Sequence, residues 1–285
     1  MIKILISILL FANILFAKSE FIKMCENPTS SQKHTLEAIL KKYKAHKNKT
    51  WEEQCFGLEN FIKRRTFIQL TNANITDLTP LSYFPHLTDL TLRKNNIRDL
   101  SPLSNLKKLK ILSLSTDKKF DLKPLEELEN LEMISLSYSN LDNICSLNKL
   151  TNLRDLSLLN NNIKDISCLT DLKNLTNVDF GRNQITDINV VSNYIALTSI
   201  NLYKNPINDI TPLKKLTNLK YVDLEYTNVD DISVLAKNPN LKNITIDEDQ
   251  IKKCSPRNIH QLRDGKSCLK EDGTPKVFWR QWLGL

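Results

Sequence analysis

The chain has 285 residues, 40 Lys and Arg against 32 Asp and Glu for a formal net charge of +8, 41% hydrophobic residues and six cysteines. Its five glycines, at 57, 181, 265, 273 and 284, stand too far apart for a phosphate-cradling loop of the GxGxxG or GxxxxGK kind. Four histidines, His34, His46, His86 and His260, are scattered without ligand spacing to one another or to a cysteine, so neither a metal centre nor a Cys-His nucleophile is expected.

In chain order, Lys3 precedes an apolar stretch from Ile4 to Ala17, and Ala17-Lys18-Ser19 puts small residues at the two positions a signal peptidase reads. Residues 1–19 therefore read as a secretory signal peptide. The apolar run is shorter than the roughly 18–20 residues of a membrane helix. No transmembrane segment is expected in the mature chain, which would be secreted or periplasmic. Residues 20–65 read as a helical cap, with Leu36, Ile39, Leu40 and Tyr43 at helical spacing and Trp51, Phe56, Leu58 and Phe61 after them.

From residue 66 to 253 the chain repeats. Leu87, Leu109, Leu131, Leu153, Leu175, Leu197, Leu219 and Leu241 follow one another at 22 residues, as do Leu81, Leu103, Leu125, Leu147, Leu169, Val191, Leu213 and Leu235. A fixed period of this size marks a solenoid whose coils bury their apolar sides only against neighbours. Within a coil, Leu90 and Leu92 alternate with Asp89, Thr91 and Arg93, which predicts a half-buried strand. Thr79-Pro80, Ser101-Pro102 and Thr211-Pro212 then predict short helical or 3-10 segments, with the hydroxyl expected to cap free N–H groups and Pro at the first helical position.

Two polar columns accompany the leucines. Asn95, Asn161, Asn183 and Asn205 read as inward amides bonded to turn backbone. Asp77, Asp99, Asp121, Asp165, Asp187, Asp209 and Asp231 read as carboxylates bonded to their own turns rather than as metal ligands, so no cofactor or metal is expected.

The pattern LxLxxNxIxDIxPLxxLxxL resembles the 22-residue leucine-rich repeats of bacterial internalins and their relatives. The resemblance implies an α/β solenoid of about nine coils, curved, with a concave parallel β-sheet and short helical or 3-10 segments on the convex side; the caps at both ends are read from the residues there, and their cysteines depart from the family. The resemblance also implies a role in binding other macromolecules.

All six cysteines follow the expected cleavage site, and their even number suits an oxidising compartment. Cys145 and Cys168 lie in neighbouring coils, about 4.7–4.9 Å apart if strands set the spacing, within disulfide reach. Cys25 with Cys55 and Cys254 with Cys268 are then expected to staple the two ends. Residues 254–285 read as a disulfide-closed C-terminal cap, whose Val277, Phe278, Trp279, Trp282 and Leu283 either cover the last coil or anchor the chain.

Charge is unevenly distributed: residues 18–65 and 252–285 each carry a net +5, whereas 66–251 carry −3. Three outward columns of the expected strands hold six acids against one base, Arg93. Their C-terminal half combines Asp179, Tyr203, Tyr221, Asp223, Glu225 and Asp247, an acidic and aromatic cluster suited to a protein partner that carries a basic patch. A monomer that is not an enzyme and does not bind nucleic acid is expected. The alternatives are anionic surfaces or polyanions held by the basic caps, or a structural envelope role.

Overall fold

A computed structural model describes residues 18–43 and 49–246. The expected signal peptide up to Ala17, Asp247, the Cys254 and Cys268 pair and the expected C-terminal cap lie outside the described residues.

Three helices precede the sheet: α1 (Glu20–Glu26), α2 (Ser30–Lys42) and α3 (Trp51–Lys63). Their starts are set locally. Thr29 with Gln32, and Thr50 with Glu53, form capping boxes in which side chain and backbone satisfy each other's free donors. Leu36, Ile39, Leu58 and Ile62 are fully buried. Cys25 and Cys55 join α1 to α3 with their Cα atoms 5.7 Å apart, and Trp51 Nε1 donates to Cys25 O at 2.6 Å.

These helices close the end of the repeat stack. Phe21 packs on Phe84 with ring centroids 4.8 Å apart. Thr35 Oγ1 donates to Asp77 O at 2.7 Å, and His34 Nε2 to Ala73 O at 2.8 Å. The first coil's apolar edge, which an open solenoid would leave in water, is thereby covered.

The nine strands β1 (Phe67–Gln69), β2 (Asp89–Leu92), β3 (Ile111–Leu114), β4 (Met133–Ser135), β5 (Asp155–Ser157), β6 (Asn177–Asp179), β7 (Ser199–Asn201), β8 (Tyr221–Asp223) and β9 (Asn243–Thr245) form one open parallel sheet in sequence order. Each register is a shift of 22 residues, as in Phe67↔Asp89 and Tyr221↔Asn243. Columns in the sequence are therefore rows in space. The second strand position (Ile68, Leu90, Leu112, Ile134, Leu156, Val178, Ile200, Val222) is buried from β1 to β8 and half-buried at Ile244 in β9, and the positions on either side are mostly exposed or half-exposed, Ser199 excepted.

The opposite side of the stack carries a four-residue helix, α4 (Thr79–Ser82), and 3-10 turns at Ser101–Asn105, Lys123–Glu127, Cys145–Lys149, Asn189–Asn193, Thr211–Lys215 and Ser233–Lys237. Their capping corrects one expectation. The residue before each turn makes no side-chain cap, and the Ser or Thr hydroxyl is not the acceptor. Instead the aspartate column accepts the first N–H: Asp99 Oδ1 from Ser101 N at 2.8 Å, Asp165 from Ser167 N at 2.7 Å, Asp209 from Thr211 N at 2.7 Å and Asp231 from Ser233 N at 2.8 Å. The hydroxyls of Ser101 and Thr211 donate to the same carboxylates at 2.8 Å. An ionised carboxylate is the stronger acceptor, which explains the order.

Asparagine holds the other turn. Asn161 Oδ1 accepts from Ser139 N and Leu141 N, both at 3.0 Å, while its Nδ2 donates to Leu136 O and Leu158 O. Asn95, Asn183 and Asn205 repeat this bridge between adjacent coils. Just before this column the backbone turns left-handed at Asn72, Lys94, Tyr138, Asn160, Arg182, Lys204 and Tyr226, with φ between 54° and 59°. Thr116, the β-branched residue at the same register, is not among them, in keeping with the steric cost of positive φ for such residues.

Coil 155–176 departs from the pattern in another way. Residues 167–171 form turns in place of the 3-10 segment, and Leu169 O accepts from the buried hydroxyl of Tyr194 at 2.9 Å. Burial pushes the Tyr194 phenol well above its ordinary value, so it remains a donor. In this stretch Cys168 is bonded to Cys145 of the preceding coil, Cα to Cα 5.5 Å.

Candidate functional site

The open face of the sheet carries three outward columns, and its C-terminal half holds most of the candidate residues. Tyr221 opens β8 and Asp223 closes it. Asp223 pairs in register with Asn201, which pairs with Asp179. These three side chains share one local job: each Oδ1 accepts the backbone N–H two residues on, at Gly181 (3.0 Å), Tyr203 (2.9 Å) and Glu225 (3.1 Å). Such turns bend the chain out of the strand. Because Asn201 does with an amide what its neighbours do with carboxylates, the charges of Asp179 and Asp223 are not required for the turn.

Tyr203 differs from expectation. It belongs to an outward column, yet it is only 9% exposed. The edge-to-face ring of Tyr226 lies 5.4 Å away and the Arg182 guanidinium sits 5.4 Å from its centroid. The aromatic residues actually presented to solvent are Tyr226, 63% exposed, and Tyr221, 37% exposed. Tyr203 is their support. Alternation along the strand does not reveal Tyr226 or Arg182, since both stand in the left-handed turn beyond it; a bulky residue at a positive-φ position is the signal that would.

Gly181 sits between Leu159 and Tyr203 in the third column. A Cβ there would stand 3.1 Å from both Asn201 Nδ2 and Leu159 Cδ1, so the absence of a side chain lets these two close over the strand end. Ser199, in register beside Tyr221, is 3% exposed, and among the described residues its Oγ is a buried side-chain oxygen without a hydrogen-bond partner.

The middle of the face is a serine network. Ser137 and Ser157 share a hydrogen bond of 2.9 Å, Arg93 Nε donates to Ser113 Oγ at 2.7 Å, and Ser115 Oγ accepts from Lys94 N at 2.8 Å. At the helical end, Arg65 stacks over Phe61 at 4.2 Å, Tyr43 at 5.1 Å and Phe67 at 5.7 Å. One cation of the basic N-terminal region is thus spent on aromatic faces. No cluster of three His, Cys, Asp or Glu side chains suited to a metal occurs among the described residues, and no helix there is long and apolar enough to cross a membrane.

The leucine-rich repeat family matches in two stretches, residues 151–193 and 195–237. A comparison with curated proteins gives no significant match. Among solved structures, internalin C2 of Listeria monocytogenes is similar over 81% of this chain and 99% of its own, with 26% identity and a TM-score of 0.67. A second Listeria monocytogenes internalin is similar over 72% of this chain and 60% of its own, with 29% identity and a TM-score of 0.63. A Leptospira interrogans leucine-rich repeat protein shares the fold at 20% identity, over 68% and 58% of the two chains, with a TM-score of 0.53. The chain carries leucine-rich repeats and, like these internalins, folds as an open α/β solenoid. That architecture is one of interaction scaffolds, which typically bind other proteins rather than catalyse.

Proposed function

We propose that this protein is exported and binds another protein through the C-terminal half of its open sheet face, at Asp179, Tyr203, Tyr221, Asp223 and Glu225, with Asp247 next in column and Tyr226 and Arg182 completing the edge. The observation that carries the reading is the braced pair Tyr203 and Tyr226, with Tyr221 in the next strand and carboxylates alongside. Aromatic side chains give large contact area at low entropic cost, and the acids set orientation and association rate for a basic partner.

Export is supported by the apolar N-terminal run after Lys3 and by two bonded cysteine pairs, since disulfides persist in oxidising compartments. In this reading residues 1–19 are a signal peptide, 20–65 the N-terminal cap, 66–253 the repeats and 254–285 a C-terminal cap closed by Cys254 and Cys268. The mature chain is a monomer in periplasm or medium.

The test is capture of partners by the mature chain from envelope and medium fractions, followed by titration of the isolated partner. Saturable binding that Tyr226→Ala weakens supports the reading. Binding that survives this change but falls steeply with salt would shift the site to the basic ends, and no saturable partner would leave a structural role.

A further inference from the structure

The two bonded cysteine pairs among the described residues differ in access. Cys25 and Cys55 are each 1% exposed between α1 and α3, with the Trp51 indole donating to Cys25 O. Cys145, at the start of a 3-10 turn on the side of the stack away from the sheet, is exposed. Its partner Cys168 is half-buried and packs against the core. The coils around this second pair are also held together without the bond. Three residues beyond the two cysteines, Asn148 Nδ2 donates to Asp171 Oδ2 at 2.9 Å and Asp171 N donates to Asn148 Oδ1 at 2.8 Å. Between them the Tyr194 hydroxyl of the next coil holds Leu169 O at 2.9 Å.

We infer that the bond between Cys145 and Cys168 is a reversible thiol–disulfide exchange site, opened by dithiols and self-restoring against monothiols. Exchange proceeds by thiolate attack on a reachable sulfur, and exposed disulfides are the labile ones. The sulfur attacked is that of exposed Cys145. Its bond to Cys168 breaks, a mixed disulfide forms on Cys145, and the Cys168 thiolate leaves and takes up a proton. The second thiol of a dithiol then attacks the reagent's own sulfur, which releases Cys145 as a thiol and closes a cyclic disulfide. Two electrons and two protons have passed from the dithiol to the protein. A monothiol brings no second thiol with it. Cys168, kept beside Cys145 by Asn148 and Asp171, then attacks Cys145 and expels the monothiol, because a group held in place outcompetes one free in solution. The site lies on the other side of the stack from the proposed partner surface and is independent of it.

The test is treatment of the folded, full mature chain with dithiothreitol or with reduced glutathione, then alkylation with iodoacetamide and peptide mapping, which reads each cysteine separately. Dithiothreitol should open Cys145 and Cys168 to alkylation at least about tenfold faster than Cys25 and Cys55, because reaching the buried pair requires opening the helical cap. Far-ultraviolet circular dichroism should not change, and the bond should re-form in air when the reagent is removed before alkylation. Glutathione should leave the wild type almost unmodified. Asn148→Ala removes both bracing hydrogen bonds at an exposed position, and should carry about three- to tenfold more glutathione on Cys145. Equal alkylation rates for the two pairs, or loss of the dichroism signal along with reduction, overturn the exchange site. Glutathione mainly on Cys168 overturns the direction of attack, and equal loading of the wild type and Asn148→Ala overturns the brace.

Discussion

The ring of Tyr226 meets that of Tyr203 edge-on, with centroids 5.4 Å apart and planes at 87°. Two tyrosines from successive coils thus form one support, with the Arg182 guanidinium on the Tyr203 ring, and the outer ring is the one held toward solvent. A tyrosine whose position is fixed by packing loses little entropy when a partner covers it, so in the proposed function the pair should contribute more to affinity than the acids.

Asn161 should be among the costliest polar residues to remove. Its amide serves four buried backbone groups in two coils, and each unpaired group costs about 1–3 kcal/mol. Asn161→Ala should lower unfolding free energy by about 2–5 kcal/mol in denaturant titration. The exposed neighbour Asn162→Ala should change it by less than about 0.5 kcal/mol.

Stability should fall in acid through the turn aspartates. Hydrogen bonds from Ser167 and Ser233 hold the Asp165 and Asp231 carboxyls below the ordinary carboxylate value. A group depressed in the folded state contributes stability that is complete above its unfolded pKa, about 3.9, and is lost as pH falls through the lower folded value. Thermal midpoints should therefore decline below about pH 4. Asp165→Asn, which keeps an acceptor for Ser167 N, should make that decline shallower without unfolding the protein at neutral pH.

The bond between Cys145 and Cys168 ties two adjacent coils where the 3-10 segment is replaced by turns. Replacing both cysteines with serine should cost about 2–4 kcal/mol in unfolding free energy, read by chemical denaturation against the oxidised wild type. Peptide mapping without reduction should recover the two cysteines in one linked fragment; both reacting freely with a thiol reagent would contradict the pairing.

Ser199 has a buried hydroxyl without a hydrogen-bond partner. Removing such a group relieves its desolvation, so Ser199→Ala should be neutral or stabilising by about 0.5–1 kcal/mol in the same assay. A clear loss would mean that the hydroxyl is bonded.

The repeat was legible because register and period coincide. Strands pair at a shift of 22 residues, so Leu87 to Leu241 and Asn95 to Asn205 are vertical rows and their roles follow from one coil. The turn caps were less legible: Ser101 and Asp99 both offer oxygen, and only geometry shows that the carboxylate takes the N–H. The burial of Tyr203 was not legible, because alternation predicts direction, not coverage, and Tyr226 and Arg182, which pack on it, lie outside the strand pattern.

The most direct test is titration of the isolated partner, by calorimetry, against the wild type, Tyr226→Ala with Tyr221→Ala, Asp179→Asn with Asp223→Asn, and Ser113→Ala with Ser135→Ala. The tyrosine changes should each cost about 1–3 kcal/mol of binding, the asparagine changes should mainly flatten the salt dependence, and the serine changes should leave affinity within about threefold of the wild type. Serine variants that weaken binding as much as the tyrosine variants would place the site elsewhere on the sheet, and full affinity in all of them would remove the open face as the binding surface.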